Sequence, residues 1–75
     1  MIYTDGVHLI ADDINELHSF AQTIGLKLNW FQNHRIPHYD IWGSKLTKAL
    51  RAGAKIITTK ELINIVRKSN EHNRL

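Results

Sequence analysis

The sequence predicts a small α/β or α+β domain: a single-layer sheet, at least partly parallel, packed with three helices. Two observations lead there. β-rich and helix-periodic stretches alternate three times along the 75 residues, the pattern of layered structures in which helices cover a sheet. With 43% hydrophobic residues and no cysteine, the core must hold by packing alone, and a chain this short buries only roughly 60% of its unfolded surface. No linker, low-complexity segment or internal repeat interrupts the pattern, so residues 1–75 are expected to form one domain with a frayed polar tail over 69–75.

Each element has its own signal. "MIYTD" alternates and is β-rich, and "VHLIA" follows a turn at Gly6, so both read as strands. "DDINELHSFAQTIG" reads as a helix capped by Asp12 or Asp13, with Glu16 at the capping-box position and Gly25 as the stop. Its buried stripe is Ile14, Leu17, His18, Ala21 and Ile24. "KLNWF" reads as a further strand, and "HYDIW" is extended because Pro37 fixes the entry. A second helix runs from Ser44 to about Gly53, burying Leu46, Ala49 and Leu50. "AKIIT" is a short strand. Thr58 caps a third helix with Glu61 three residues on, and Leu62, Ile65 and Val66 form its inner face.

Charge divides the chain. Residues 1–40 carry two basic and five acidic side chains, a net of −3, and residues 41–75 carry eight basic and two acidic, a net of +6. A basic half favours an anionic partner. No apolar run is long enough for a membrane span, and the first residues lack a signal peptide's pattern. With cysteine absent, the expected setting is cytoplasmic.

The strongest chemical signal is "PHYD" at residues 37–40. In an extended segment His38 and Asp40 share one face and Tyr39 takes the other. A carboxylate beside an imidazole orients its tautomer and stabilises its charged form, as a general acid or base requires. His18 lies in the apolar stripe of the first helix, and His8 lies mid-strand. All three imidazoles are expected to converge on one cleft with Asp40. The set His8, His18, His38 and Asp40 suits zinc, manganese or iron by ligand type, but its spacing matches no metal motif, so no metal site and no cofactor are assigned. Trp30 and Gln32 are placed to stack on and hydrogen-bond a base. Ser44 and Lys45, in "GSK", open the second helix, whose N–H groups and first-turn ammonium favour an anion.

Across nearly its whole length the chain resembles the small bacterial and phage family known as domain of unknown function 4031. The resemblance rests on Asp5, His8-Leu9, "ADDINELHSFA", "WFQ" at residues 30–32, "PHYD", Lys45, Ala49 and Gly53-Ala54, in that order. It implies a shared site. The chain departs from the family in having only Gly6-Val7 between Asp5 and His8, where members carry a longer basic and aromatic loop, and in Leu46, where they carry a second basic residue. Residues 43–66 also resemble the last helix–strand–helix of a BRCT domain, in which a lysine at a comparable helix start helps to hold phosphate.

The function expected from these residues is binding of a phosphate-bearing, nucleotide-like small molecule. His8, Trp30, Gln32, Tyr39, Ser44 and Lys45 would hold it, and His38, Asp40 and His18 would be the reactive groups of a hydrolase. A sequestering binder would use the same residues. The alternative is a nucleic-acid or phosphopeptide adaptor working through Lys45, Lys48, Arg51, Lys55, Lys60 and Arg67, with structural histidines.

Overall fold

The computed structural model describes residues 1–73. They run in the order β1 (Ile2–Thr4), β2 (His8–Ala11), α1 (Ile14–Thr23), a short 3-10 turn (Leu28–Trp30), β3 (Tyr39–Asp40), α2 (Ser44–Arg51), β4 (Lys55–Ile56) and α3 (Thr59–Asn73). The strands form one mixed sheet ordered β3-β2-β1-β4. β1–β2 and β2–β3 are antiparallel, and β1–β4 is parallel. The expected class therefore holds, as a small α+β structure whose sheet is partly parallel.

The β1–β2 hairpin turns through Asp5-Gly6-Val7. Gly6 takes φ +99°, a conformation that side chains disfavour. The Asp5 carboxylate accepts the N–H groups of Val7 (3.0 Å) and His8 (2.8 Å), closing the turn. The pairing Ile2↔Ala11, Tyr3↔Ile10 and Thr4↔Leu9 then assigns alternate residues to opposite faces.

Those faces are covered by different helices. Ile2, Leu9, Tyr39 and Ile41 pack with Leu17 and Ala21 of α1, with Ile24 at its C-terminal cap and with Ala49 of α2. On the other side Ile10 packs with Leu62 and Val66 of α3, with Tyr3, Ile36, Ile57 and Ile65 partly buried around them. The inner face expected of α3 is thus observed. Its start carries the expected capping box: Thr58 Oγ1 accepts the Glu61 N–H (3.1 Å), and Glu61 Oε1 accepts the Thr58 N–H (3.2 Å).

Several local expectations need correction. "KLNWF" is not a strand: Trp30 and Phe31 donate their N–H groups back to Lys27 and Leu28, making a 3-10 turn. β2 is already paired on both edges, and Phe31 and Trp30 pack against other aromatic rings instead. Ile14 is 42% and Leu50 37% exposed rather than buried, because both fall at the margins of short helices. Asp13 does cap α1, accepting from Asn15 N–H, but Glu16 binds the Met1 ammonium at 2.6 and 2.7 Å instead of closing a capping box. The segment 69–75, expected to fray, runs within α3 as far as Asn73, and residues 74 and 75 lie outside the described residues.

Candidate functional site

The pairing of β2 with β3 sets His8 opposite Asp40 and Leu9 opposite Tyr39. Cross-strand partners share a face, so His8 and Asp40 point toward the α3 side while Leu9 and Tyr39 enter the core under α1. His38, two residues before Asp40, joins the α3-side pair. An isolated bridge, Gln32↔His38, extends the ladder and brings Gln32 alongside.

The imidazoles of His8 and His38 meet edge-on, with ring centroids 5.1 Å apart at 81°. Each has its Nδ1 committed. His8 Nδ1 lies 3.0 Å from Asp5 Oδ2, and His38 Nδ1 lies 2.6 Å from the Ile36 carbonyl oxygen. The Asp5 carboxylate and the carbonyl both accept, so Nδ1 carries the hydrogen in a neutral ring and Nε2 keeps its lone pair. His38 Nε2 lies 3.2 Å from Asp40 Oδ1. The other Asp40 oxygen accepts from Gln32 Nε2. One ligating atom from each of His8, His38 and Asp40 falls within 4.8 Å of the others.

Asp5 anchors this cluster, and its side chain is 3% exposed. Burial pushes its carboxyl upward. The imidazole and N–H of His8, the N–H of Val7 and the Thr59 hydroxyl overcome that effect and hold it well below the usual carboxylate range. Thr59, at the start of α3, donates to Asp5 Oδ2 at 2.8 Å and so ties the helix to the site.

The cluster divides two clefts. One, about 180 Å³, is lined by His8, Ile36, His38, Thr59, Leu62 and Ile63. The other, about 300 Å³, is lined by Trp30, Gln32, Asp40 and Trp42. Trp30 and Trp42 lie 5.6 Å apart at 53°, and Lys27 stands 5.6 Å over the Trp30 ring.

The chain matches the family described as "Protein of unknown function (DUF4031)" over residues 4–69. It belongs to that family. The matched span of this family member includes Asp5, His8, Gln32, His38 and Asp40. No curated protein and no solved structure matches the chain, so the local BRCT likeness of residues 43–66 finds no counterpart.

Of the residues singled out in the sequence, His8, Gln32, His38 and Asp40 come together, with Trp30 lining the adjoining cleft. The expected convergence of three imidazoles fails, because His18 belongs to the other face. Its Nδ1 lies 2.8 Å from the hydroxyl of the buried Tyr39, and its ring meets Phe31 at 4.6 Å. Burial raises the Tyr39 phenol above its usual pKa. Lys45 also lies with the α1–α2 side, donating to the carbonyls of Ile24 (3.2 Å) and Gly25 (3.3 Å), where its charge completes the end of α1. Ser44 is exposed and is the first residue of α2, and the capping position belongs to Gly43. Lys48, Arg51, Lys55, Lys60 and Arg67 are exposed.

Asp5, Thr59 and Trp42 were missed as site residues. The signal for Asp5 was present in "DGVH", since an Asp opening a Gly turn three residues before a His can bond both backbone and ring. Thr59 and Trp42 carried no such signal, because their contacts depend on tertiary packing. No helix among the described residues is long and apolar enough to cross a membrane.

Proposed function

We propose that this chain binds a nucleotide-like small molecule along the β3 side of the sheet and hydrolyses its phosphate ester. One observation carries the reading: Gln32, Asp40, His38 and His8 form a continuous polar line from an aromatic cleft to a pair of oriented imidazoles. Trp42, 55% exposed, and Trp30 offer faces for a planar ring. The Gln32 and Asp40 side chains offer hydrogen-bonding groups to its edge. The phosphate would then lie at His8 and His38, whose cationic forms donate through Nε2. In the reaction, a water oxygen attacks phosphorus, the ester P–O bond breaks, and one water proton ends on the departing alcohol. His38 is the group placed to move that proton. The chain's net charge of +3 favours approach of the anion.

The test is calorimetric titration with nucleoside monophosphates, the bare nucleosides and inorganic phosphate, paired with an assay for released phosphate. Monophosphates are expected to bind more tightly than either part, and Trp42→Ala to weaken binding about 10-fold, a stacking contribution of about 1–3 kcal/mol. Equal, weak binding of all three probes with no phosphate release would refute the reading. Affinity that tracks chain length of an oligonucleotide and collapses with salt would favour the adaptor alternative instead.

A further inference from the structure

We propose that His8, His38 and Asp40 hold a divalent transition-metal ion through the Nε2 atoms of the two imidazoles and Oδ1 of the carboxylate. The inference deepens the proposed function by naming the cofactor of the same cluster, and it stands on geometry that a purely acid–base site does not require.

With Nδ1 of His38 donating to the Ile36 carbonyl, its Nε2 lone pair and Asp40 Oδ1 are two acceptors 3.2 Å apart. A cation between them would be held by both. A proton on His38 would serve that pair, but it would leave the third donor, His8, without a purpose in the cluster. An ion engages all three. Two atoms each about 2.1 Å from one ion stand about 3.0–3.4 Å apart, the separation that His38 and Asp40 already show. The ligand atom of His8 lies within 4.8 Å of the other two, and a small tilt of its partly exposed ring, with the bond to Asp5 kept, closes the remaining gap.

The outer shell points the same way. Imidazoles that bind metals donate their second nitrogen to a carboxylate or carbonyl, and ligating carboxylates accept a further hydrogen bond. Here Asp5 holds His8, the Ile36 carbonyl holds His38, and Gln32 holds the second oxygen of Asp40. Each donor therefore has its outer atom fixed and its inner atom bare. Two imidazoles and one carboxylate, with no thiolate, suit Zn²⁺, Mn²⁺ or Fe²⁺, and three protein ligands leave positions open for water and a bound anion. The ion would offset the negative charge of Asp5 and Asp40 and make the cluster attractive to phosphate. Both imidazoles would then be ligands, and the water on the ion would replace His38 in handling the proton.

The experiment is calorimetry of the chelator-treated full chain with Zn²⁺ and Mn²⁺, together with the visible spectrum on adding Co²⁺. One ion per chain is expected. His8→Ala and His38→Ala should each weaken it at least 10-fold, while the exposed His34→Ala leaves it unchanged. Imidazole ¹H–¹⁵N spectra of the wild-type chain provide a second reading that does not depend on the fold of a variant: Nε2 of His8 and His38 should shift with Zn²⁺, and the nitrogens of His18 should not. Absence of saturable binding, or equal shifts at all histidines, would overturn the proposal and leave a proton between His38 and Asp40. Ion binding without phosphate release would count against the hydrolytic reading alone. Phosphate release that survives chelation would count against the ion alone.

Discussion

The two faces of the sheet each place histidine beside polar partners, and the difference between them is in what holds Nδ1. Under α1, His18 meets the hydroxyl of a fully buried Tyr39, with Phe31 packed on its ring. That hydrogen bond commits Nδ1 of His18 to the buried hydroxyl of Tyr39. Beneath α3, Nδ1 of His8 and of His38 is held by an acceptor, and Nε2 of His38 faces Asp40 Oδ1 at the edge of open clefts. The first arrangement is closed and stabilising. The second has its hydrogen bonds spent on orientation, so the working atoms remain available. Burial alone does not separate the two, since the His38 side chain is only 13% exposed.

The contrast should appear first in stability. Tyr39 fills the centre of the α1-side core at 1% exposure, so Tyr39→Ala is expected to cost about 3–5 kcal/mol. In a domain this small that is most of the stability, and thermal melting should show a midpoint far below that of the wild type. A well-folded variant would mean that the α1 face is not the principal core.

A paired substitution sharpens the comparison. His18→Ala strands the Tyr39 hydroxyl and should lower stability by about 1–3 kcal/mol, with binding at the α3 face retained. His38→Ala should do the reverse, removing binding or turnover while the melting temperature changes less. Melting and binding measured on both variants decide it. If His38→Ala proves the more destabilising and keeps activity, the assignment of the two faces is inverted.

Smaller effects should follow at the helix ends. Lys45→Met removes an ammonium from the carbonyls that end α1 and should cost about 0.3–1 kcal/mol, read by denaturant unfolding. Glu61→Gln should have the smallest effect, and one that depends on pH. Hydrogen bonds from the Thr58 N–H and hydroxyl lower the pKa of Glu61. A depressed folded-state pKa stabilises above the ordinary value of about 4.5 and is lost as pH falls through the folded one. The melting difference between wild type and variant should therefore be present at neutral pH and disappear in acid.

Much of this was legible in the sequence. Periodicity and turn residues located α1, α2, α3 and three of the four strands, because these segments carry complete local signals. Extension at "PHYD" also correctly put His38 and Asp40 on one face. What failed was tertiary. A helical stripe shows that His18 points inward but not which side of the sheet its helix covers, and the strand order decided that. Lys45 reads as an anion ligand from its place in the first turn of α2, yet it lies within reach of the carbonyls closing α1. "KLNWF" has strand composition, but its N–H groups close a 3-10 turn and its rings pack on other aromatic rings. Asp5 was visible as a turn residue, and its bond to the His8 ring needed the hairpin.

The central claim is that two histidines on one face present bare Nε2 atoms. Long-range ¹H–¹⁵N correlation of the imidazoles in the wild-type chain, at a pH where the rings are neutral and with metal removed, measures this directly. His8 and His38 should both show the proton on Nδ1 and a lone pair on Nε2. A proton on Nε2 of either neutral ring would contradict the account, since the cluster would then present an N–H where the proposed metal ion needs a lone pair.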